Sequence, residues 1–222
     1  GLVADNERTL IEEVSKETNK SHIFGEYIFS DEENFSFTVS GRASGHSQFG
    51  ESSTARANAS YKLSGGTIFR SSLGSGYRAP SLFELFAPYY GNSDLQPETS
   101  VTADLGVELP LADNKATLNA TLFETKIADR IVYDYDTFSY GQSTEIEKRA
   151  GYEIGLNYKL NSRSQVNLSF THTHDGDGNR VQKVPESDLT LSASTQLLSG
   201  IILSGSLQSV SGLEDFISLP DY

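Results

Sequence analysis

Apolar and polar residues alternate with a period of two through most of this chain. One such segment reads Phe-Ser-Phe-Thr-Val-Ser over residues 35–40, and another reads Ala-Thr-Leu-Asn-Ala-Thr-Leu over 116–122. Because successive side chains of a β-strand point to opposite faces, each segment would carry one apolar and one polar face. The pattern predicts eleven strands, over residues 7–16, 20–30, 34–45, 53–63, 66–77, 99–109, 115–127, 150–160, 164–174, 188–198 and 201–211.

The connections between the predicted strands alternate in length. Short ones are predicted around 31–33, 64–65, 112–114, 162–163 and 199–200, and longer ones at 46–52, 78–98, 128–149 and 175–187. In an up-and-down meander, every short turn then lies at one end of the sheet and every long loop at the other. Strands of about ten residues, tilted by about 45°, also cover the roughly 25 Å apolar band of a membrane barrel.

This arrangement predicts an all-β fold, namely a transmembrane antiparallel up-and-down β-barrel. In such a barrel the apolar face meets lipid and the polar face lines a wet lumen. A soluble β-sandwich, which would bury the apolar face against a second sheet, is the structural alternative.

Composition excludes several other classes of protein. The chain has 30 acidic and 17 basic residues, and a net charge of −13 would repel nucleic acid. It has no cysteine, so disulfides and thiolate sites are excluded. No run approaches the roughly 20 apolar residues of a spanning helix. The sequence has no nucleophile elbow, phosphate loop or zinc-protease motif, so we do not expect an enzyme.

The segment from residue 74 to 109 carries the most specific pattern. Its distinctive positions are Tyr77, Arg78, Ala79, Pro80, Gly91, Asn92, Leu95, Pro97, Glu98 and Thr99. Neither proline can donate to a strand ladder, so each punctuates a strand end. Gly91-Asn92 suits a turn with positive φ. We interpret these residues as a structural loop between two strands.

In order and spacing, these residues resemble a segment in the second half of the barrel of TonB-dependent outer-membrane receptors. The resemblance covers roughly residues 52–222. The family barrel has about 22 strands and is preceded by a plug domain. The resemblance therefore implies that residues 1–222 are one partial barrel domain with about half of those strands, lacking the plug and the last strands. The absence of any methionine also leads us to expect a piece of a longer chain.

The resemblance, which is to the cobalamin and siderophore branch, implies a function. We expect TonB-energised uptake of a scarce nutrient, such as a ferric siderophore or cobalamin, through the outer membrane of a Gram-negative bacterium. The implied partners are outer-membrane lipid, the protein's own plug domain, the TonB complex acting through the missing N-terminal part, and a small-molecule or metal-chelate substrate. The alternatives are a passive porin-like or structural barrel and a soluble all-β binding module.

Aromatic residues concentrate in the two longest predicted loops. They include Phe86, Tyr89, Tyr90, Tyr133, Tyr135 and Tyr140. Outer loops of the family contact the ligand, and aromatic rings give large contact area at low entropic cost. We predict that these six residues contact substrate. The nearby Asp129, Asp134 and Asp136 favour a neutral or cationic ligand.

The loop at 175–186 has the oxygen spacing of a calcium loop. Asp175, Asp177, Asn179 and Glu186 fall at positions 1, 3, 5 and 12 of that pattern. Arg180 replaces the glycine that normally makes the sharp turn, and the flanking segments are predicted strands. The pattern suggests calcium as the only cofactor, and a polar loop between strands is the alternative.

Overall fold

The computed structural model describes residues 1–11, 14–31, 33–198 and 200–213. Within them the chain is almost entirely β-strand, with one short helix, α1 (Leu82–Phe86). The strands are β1 (Leu2–Ile11), β2 (Val14–Ser30), β3 (Phe35–His46), β4 (Gly50–Lys62), β5 (Ile68–Arg78), β6 (Glu98–Leu111), β7 (Ala116–Ala128), β8 (Ile131–Asp134), β9 (Ser139–Gln142), β10 (Glu147–Asn161), β11 (Ser164–His174), β12 (Ser187–Leu198) and β13 (Ile201–Ser211).

The long strands form one eleven-stranded antiparallel sheet in the order β1-β2-β3-β4-β5-β6-β7-β10-β11-β12-β13. The ladders place apolar residues opposite one another, because alternation puts them on one face of every strand. One continuous cross-strand row consists of Leu109, Leu118, Leu156, Leu168, Leu191 and Leu207. The predicted all-β, antiparallel up-and-down sheet of eleven strands is confirmed, and two further strands, β8 and β9, lie inside the predicted loop at 128–149.

The apolar face of this sheet is not covered. Leu105 is 64% exposed and Leu207 is 74% exposed, and both lie on that face. Among the described residues, the one other sheet is the small β8–β9 hairpin, so a sandwich partner is not part of this region. In the same region, no helix is both long and apolar enough to cross a membrane.

The predicted boundaries of the first two strands are wrong. The prediction put a connection at 17–19, whereas these residues lie inside β2 and pair with residues 6–8 of β1. The ladder continues to the pair Ile11↔Val14. Residues 15–22 are mostly polar, so the apolar alternation that located the other strands is absent here. Backbone pairing, which does not depend on side-chain polarity, determines where these strands end.

The predicted long connection at 46–52 is also wrong. The β3–β4 ladder continues to the pair His46↔Gly50, and only residues 47–49 remain outside it. Gly50 has φ 71°, a conformation that glycine adopts without steric cost and that closes the hairpin tightly. The other three long connections are observed at 79–97, 129–146 and 175–186. The meander places all three at one end of the sheet.

The main hydrophobic core lies at that end, within the loops. Leu85, Leu95 and Ile131 form a buried cluster, and Phe49, Phe86 and Tyr140 pack against it. The long loops are therefore folded around apolar side chains of their own, and they are attached to the strand ends at one end of the sheet.

Candidate functional site

The candidate site is the surface formed by the three long connections. We name residues 79–97 the helix loop, because they contain α1, and residues 129–146 the hairpin loop, because they contain β8 and β9. Residues 175–186 are named the third loop. Each begins at the end of one strand of the continuous sheet, so the sheet fixes where all three start and end.

Arg78 anchors the base of the helix loop with two carboxylates. Its Nε and Nη2 donate to the two oxygens of Glu98 at 2.6 and 2.7 Å, and its Nη1 donates to both oxygens of Glu84 at 3.1 Å. Glu98 Oε1 also accepts the backbone N–H of Ile131 at 2.7 Å. These bidentate, charge-assisted contacts tie β5, α1, β6 and the hairpin loop together at one point.

The short helix begins with a capping box. The Ser81 hydroxyl accepts the N–H of Glu84 at 3.2 Å, and Glu84 Oε2 accepts the N–H of Ser81 at 2.7 Å. Ala79 and the buried Pro80 lead into this cap, and proline's fixed φ and lack of an N–H end the β5 ladder at Arg78. Leu82 and Leu85 then face inward and are buried.

Gly91 lies where the chain passes very close to the backbone at the end of α1. A Cβ there would lie 2.6 Å from the Ala87 nitrogen and 2.8 Å from the Leu85 oxygen. The predicted reason, a positive φ at Gly91-Asn92, is wrong, because the left-handed residue of this turn is Tyr89, with φ 68°. Asn92 follows, and its backbone N–H donates to the backbone carbonyl oxygen of Glu84 at 2.8 Å.

The last part of the motif returns the chain to the sheet. Leu95 is 1% exposed and belongs to the buried cluster. Pro97 directly precedes Glu98, where β6 begins, and Thr99 pairs with Tyr77 across the β5–β6 ladder. The Tyr77 hydroxyl is buried without a hydrogen-bond partner. All ten motif residues thus lie in or beside the helix loop, and their structural role stays a prediction.

Tyrosine rings from both loops form an aromatic cluster. Tyr133 lies at its centre, with ring centroids 6.2 Å from Tyr90, 5.0 Å from Tyr135 and 5.2 Å from Tyr140. The Phe83 ring meets Tyr140 edge-on at 6.2 Å. Phe83, Tyr90 and Tyr135 are exposed on their outer sides.

Two of the six aromatic residues predicted to contact substrate lie outside this cluster. Phe86 packs against the buried core, with the Lys16 ammonium 4.8 Å above its ring. Tyr89 is 92% exposed. Sequence reasoning did not single out Phe83, although the capping-box spacing of Ser81 and Glu84 marks a helix start that would have placed it.

Acidic side chains flank the cluster. Asp134 Oδ1 accepts the backbone N–H of Asp136 at 2.8 Å, and this hydrogen bond holds the pKa of Asp134 below its usual range. Asp136 itself follows in the same turn. The aromatic surface therefore carries negative charge at neutral pH.

The third loop is closed by its own acidic residues. The Asp175 carboxylate accepts the N–H groups of Asn179 at 2.8 Å and Asp177 at 2.9 Å, and the Asn179 amide at 3.1 Å. These donors, the Asn179 N–H first, lower the pKa of Asp175. Glu186 accepts from Arg180 at 2.9 Å. In the described part of the chain, no group of three His, Asp or Glu side chains is placed to hold a metal ion. Calcium binding stays a prediction.

A polar cleft of about 680 Å³ separates the third loop from the hairpin loop. Arg130, Glu147 and Lys148 line one side, and Asp177 and Arg180 line the other. Arg130 and Glu147, both on the hairpin-loop side, form an ion pair. Sequence reasoning did not identify this cleft, because its two walls are separated by about one strand pair in the sequence and meet only through the sheet.

Comparison with known proteins adds a family and a set of similar folds. Residues 5–211 match the family model described as TonB dependent receptor-like, beta-barrel. The fold is similar to the siderophore receptor PirA from Acinetobacter baumannii, with 17% identity over 87% of this chain and 33% of that one and a TM-score of 0.71.

Two further structures have the same fold. A mutant of the ferric enterobactin receptor PfeA from Pseudomonas aeruginosa, in complex with enterobactin, has 18% identity, a TM-score of 0.73 and coverage of 89% of this chain and 33% of that one. The copper transporter OprC has 16% identity, a TM-score of 0.67 and coverage of 81% and 33%. This chain spans about a third of the length of these structures.

Proposed function

The chain belongs to the TonB dependent receptor-like, beta-barrel family, and from that premise we propose that it is part of an outer-membrane receptor for energy-coupled nutrient uptake. In this proposal residues 1–222 supply one partial barrel domain, and the plug and remaining strands belong to the rest of the protein. The observation that carries the proposal is one continuous sheet with an apolar face, a polar face and folded loops at a single end.

The apolar face is proposed to meet outer-membrane lipid. Its large side chains, such as Leu105, Leu122 and Leu207, are more than half exposed, which is unfavourable in water and favourable in hydrocarbon. The strands of the main sheet are also long enough, when tilted, to cross the roughly 25 Å apolar band of an outer-membrane barrel. Gram-negative outer membranes are where such barrels reside.

The polar face is proposed to contact the plug domain. Arg70 pairs with Glu108 at 2.8 Å and Arg56 approaches Asp104 at 3.9 Å. The two guanidinium groups are about half exposed and still have hydrogen-bonding capacity toward the lumen. A plug filling the lumen would satisfy it, and the TonB complex would act on that plug from the inner-membrane side.

The aromatic cluster is proposed to contact the incoming ligand at the outer surface. Exposed rings of Tyr90, Tyr135 and Phe83 offer apolar contact area, and Asp134 adds negative charge. Together they favour a neutral or cationic small molecule or metal chelate. Similar structures include siderophore receptors and a copper transporter, and we propose a substrate of that general kind, with cobalamin a further candidate. An enzymatic activity is not proposed.

Uptake by cells that carry the full-length receptor tests this function. Cells lacking the gene are supplied with a panel of labelled ferric siderophores, cobalamin and copper, and then complemented with wild type or with Tyr133→Ala. We expect one ligand whose uptake needs both the receptor and a functional TonB complex, and a reduced uptake for Tyr133→Ala. Tyr61→Ala, on the apolar face, is the matched control and should transport normally.

Uptake that continues without the TonB complex would instead support a passive porin. A receptor that is soluble and monomeric without detergent would reject the membrane assignment altogether.

A further inference from the structure

The helix loop and the hairpin loop are clasped together by the side-chain amide of Gln142. Its Oε1 accepts the Gln96 N–H at 3.0 Å, and its Nε2 donates to the Gln96 carbonyl at 2.8 Å and the Asp129 carbonyl at 2.7 Å. One carboxamide thus forms hydrogen bonds with the N–H and the carbonyl of Gln96 in the helix loop. It also closes the base of its own loop through the Asp129 carbonyl. A flexible side chain makes three such bonds only where both backbones are held at a fixed separation.

Asn92 makes the second clasp, from the opposite direction. Its Nδ2 donates to the Tyr140 carbonyl at 3.0 Å, while its Oδ1 accepts the Asp94 N–H inside its own loop at 2.9 Å. Beside it, the Tyr140 N–H donates to the Tyr90 carbonyl at 2.8 Å. Polar contacts therefore cross between the loops at both Asn92 and Gln142.

The aromatic cluster depends on this docking, because its rings come from both loops. The Tyr90–Tyr133 and Phe83–Tyr140 contacts each join a ring of the helix loop to a ring of the hairpin loop. If the loops separated, the cluster would divide into two smaller surfaces. The relative position of the two backbones therefore sets the shape of the exposed aromatic surface.

We propose that Asn92 and Gln142 are positioning residues that lock the two loops into one body and hold the aromatic cluster in its shape. The importance of that shape for ligand rests on the proposed function. The docking itself is a property of the unliganded protein and can be tested without any ligand.

Amide hydrogen exchange of the full-length, unliganded receptor in detergent micelles tests the proposal. Asn92→Asp keeps the acceptor for Asp94 and removes the donor to Tyr140, and Gln142→Glu keeps the acceptor for the Gln96 N–H and places a carboxylate against two carbonyls. We expect each substitution to speed exchange in the other loop by at least about tenfold. The peptides to follow cover residues 86–96 and 131–142.

Gln96→Glu is the matched control. Its side chain donates to the Asp94 carbonyl within the helix loop, so it introduces the same charge without removing a side-chain bond between the loops. It should leave exchange in residues 131–142 unchanged. The proposal is overturned if each substitution loosens only its own loop, if Gln96→Glu matches the other two, or if the β6–β7 ladder also loses protection, since the side chains would then support the sheet. If the two substitutions speed exchange as predicted but the receptor transports none of the ligands tested, the proposed function alone fails.

Discussion

The sheet and the loops at its end treat large apolar side chains in opposite ways. Leu105 on the sheet is 64% exposed, whereas Leu95 in the helix loop is 1% exposed. Burial of Leu95, Leu85 and Ile131 is how a water-soluble domain gains stability. The sheet obtains its order from backbone ladders, and its exposed apolar face fits the proposed contact with lipid. The contrast fits a chain built for two solvents, as the proposed function requires, with the boundary near Arg78 and Glu98.

Removing the centre of the loop core should produce the largest effect on the loop side of the comparison. Leu95→Ala leaves a cavity beside Leu85 and Ile131, and we expect the free energy of opening the two loops to fall by roughly 2–5 kcal/mol. Hydrogen exchange of residues 86–96 measures it. Leu105→Ala, on the exposed face, should leave that exchange unchanged, and equal effects of the two would contradict the contrast.

A charge on the apolar face tests the sheet side. Leu122→Arg should destabilise the full barrel in lipid vesicles by roughly 2–4 kcal/mol, because the guanidinium would face hydrocarbon. Thr121→Arg, one residue earlier and on the polar face, should lower the stability of the barrel much less. Urea titration in vesicles measures both, and an inverted order would assign the faces the other way round.

Breaking the anchor at the boundary should have a smaller effect. Glu98→Gln weakens the hydrogen bonds from Arg78. The Ile131 N–H would then donate to a neutral amide oxygen instead of a carboxylate. We expect the free energy of opening the hairpin loop to fall by about 1–2 kcal/mol, a reduced value since Arg78 is half exposed and water screens the pair. Exchange of residues 131–142 reports it. Glu108→Gln, which affects a similar pair within the sheet, should leave the loops unchanged.

The smallest predicted effect is the acid sensitivity of the third loop. The pKa of Asp175 is lowered in the folded loop. Its contribution to the stability of the loop is therefore fully present above the unfolded-state pKa of about 3.9 and is lost as the pH falls through the folded-state pKa. An NMR titration of the Asn179 N–H should therefore have its midpoint below about 3.9. A midpoint above that value would show that the turn does not hold the carboxylate, and Asp175→Asn should abolish the transition.

The sheet was predictable because alternation reports directly on a sheet with two different faces. Strands such as β7 and β11 were located to within one residue in this way. The segment around Thr18 was misjudged, since polar residues pair as readily as apolar ones and leave no alternation. Ser81 and Glu84 did carry a readable helix signal. The cross-loop hydrogen bonds of Gln142 carried no such signal. They join residues that are 46 positions apart in the sequence and that meet only in the fold.

The most direct test of the two-solvent arrangement is a spin-label scan of residues 118–122 in the full-length receptor reconstituted in bilayers. We predict that labels at Leu118, Ala120 and Leu122 collide with oxygen dissolved in lipid and are shielded from an aqueous nickel chelate. Labels at Asn119 and Thr121 should show low collision with lipid-dissolved oxygen. Equal accessibility at all five positions, or the reverse alternation, would contradict it.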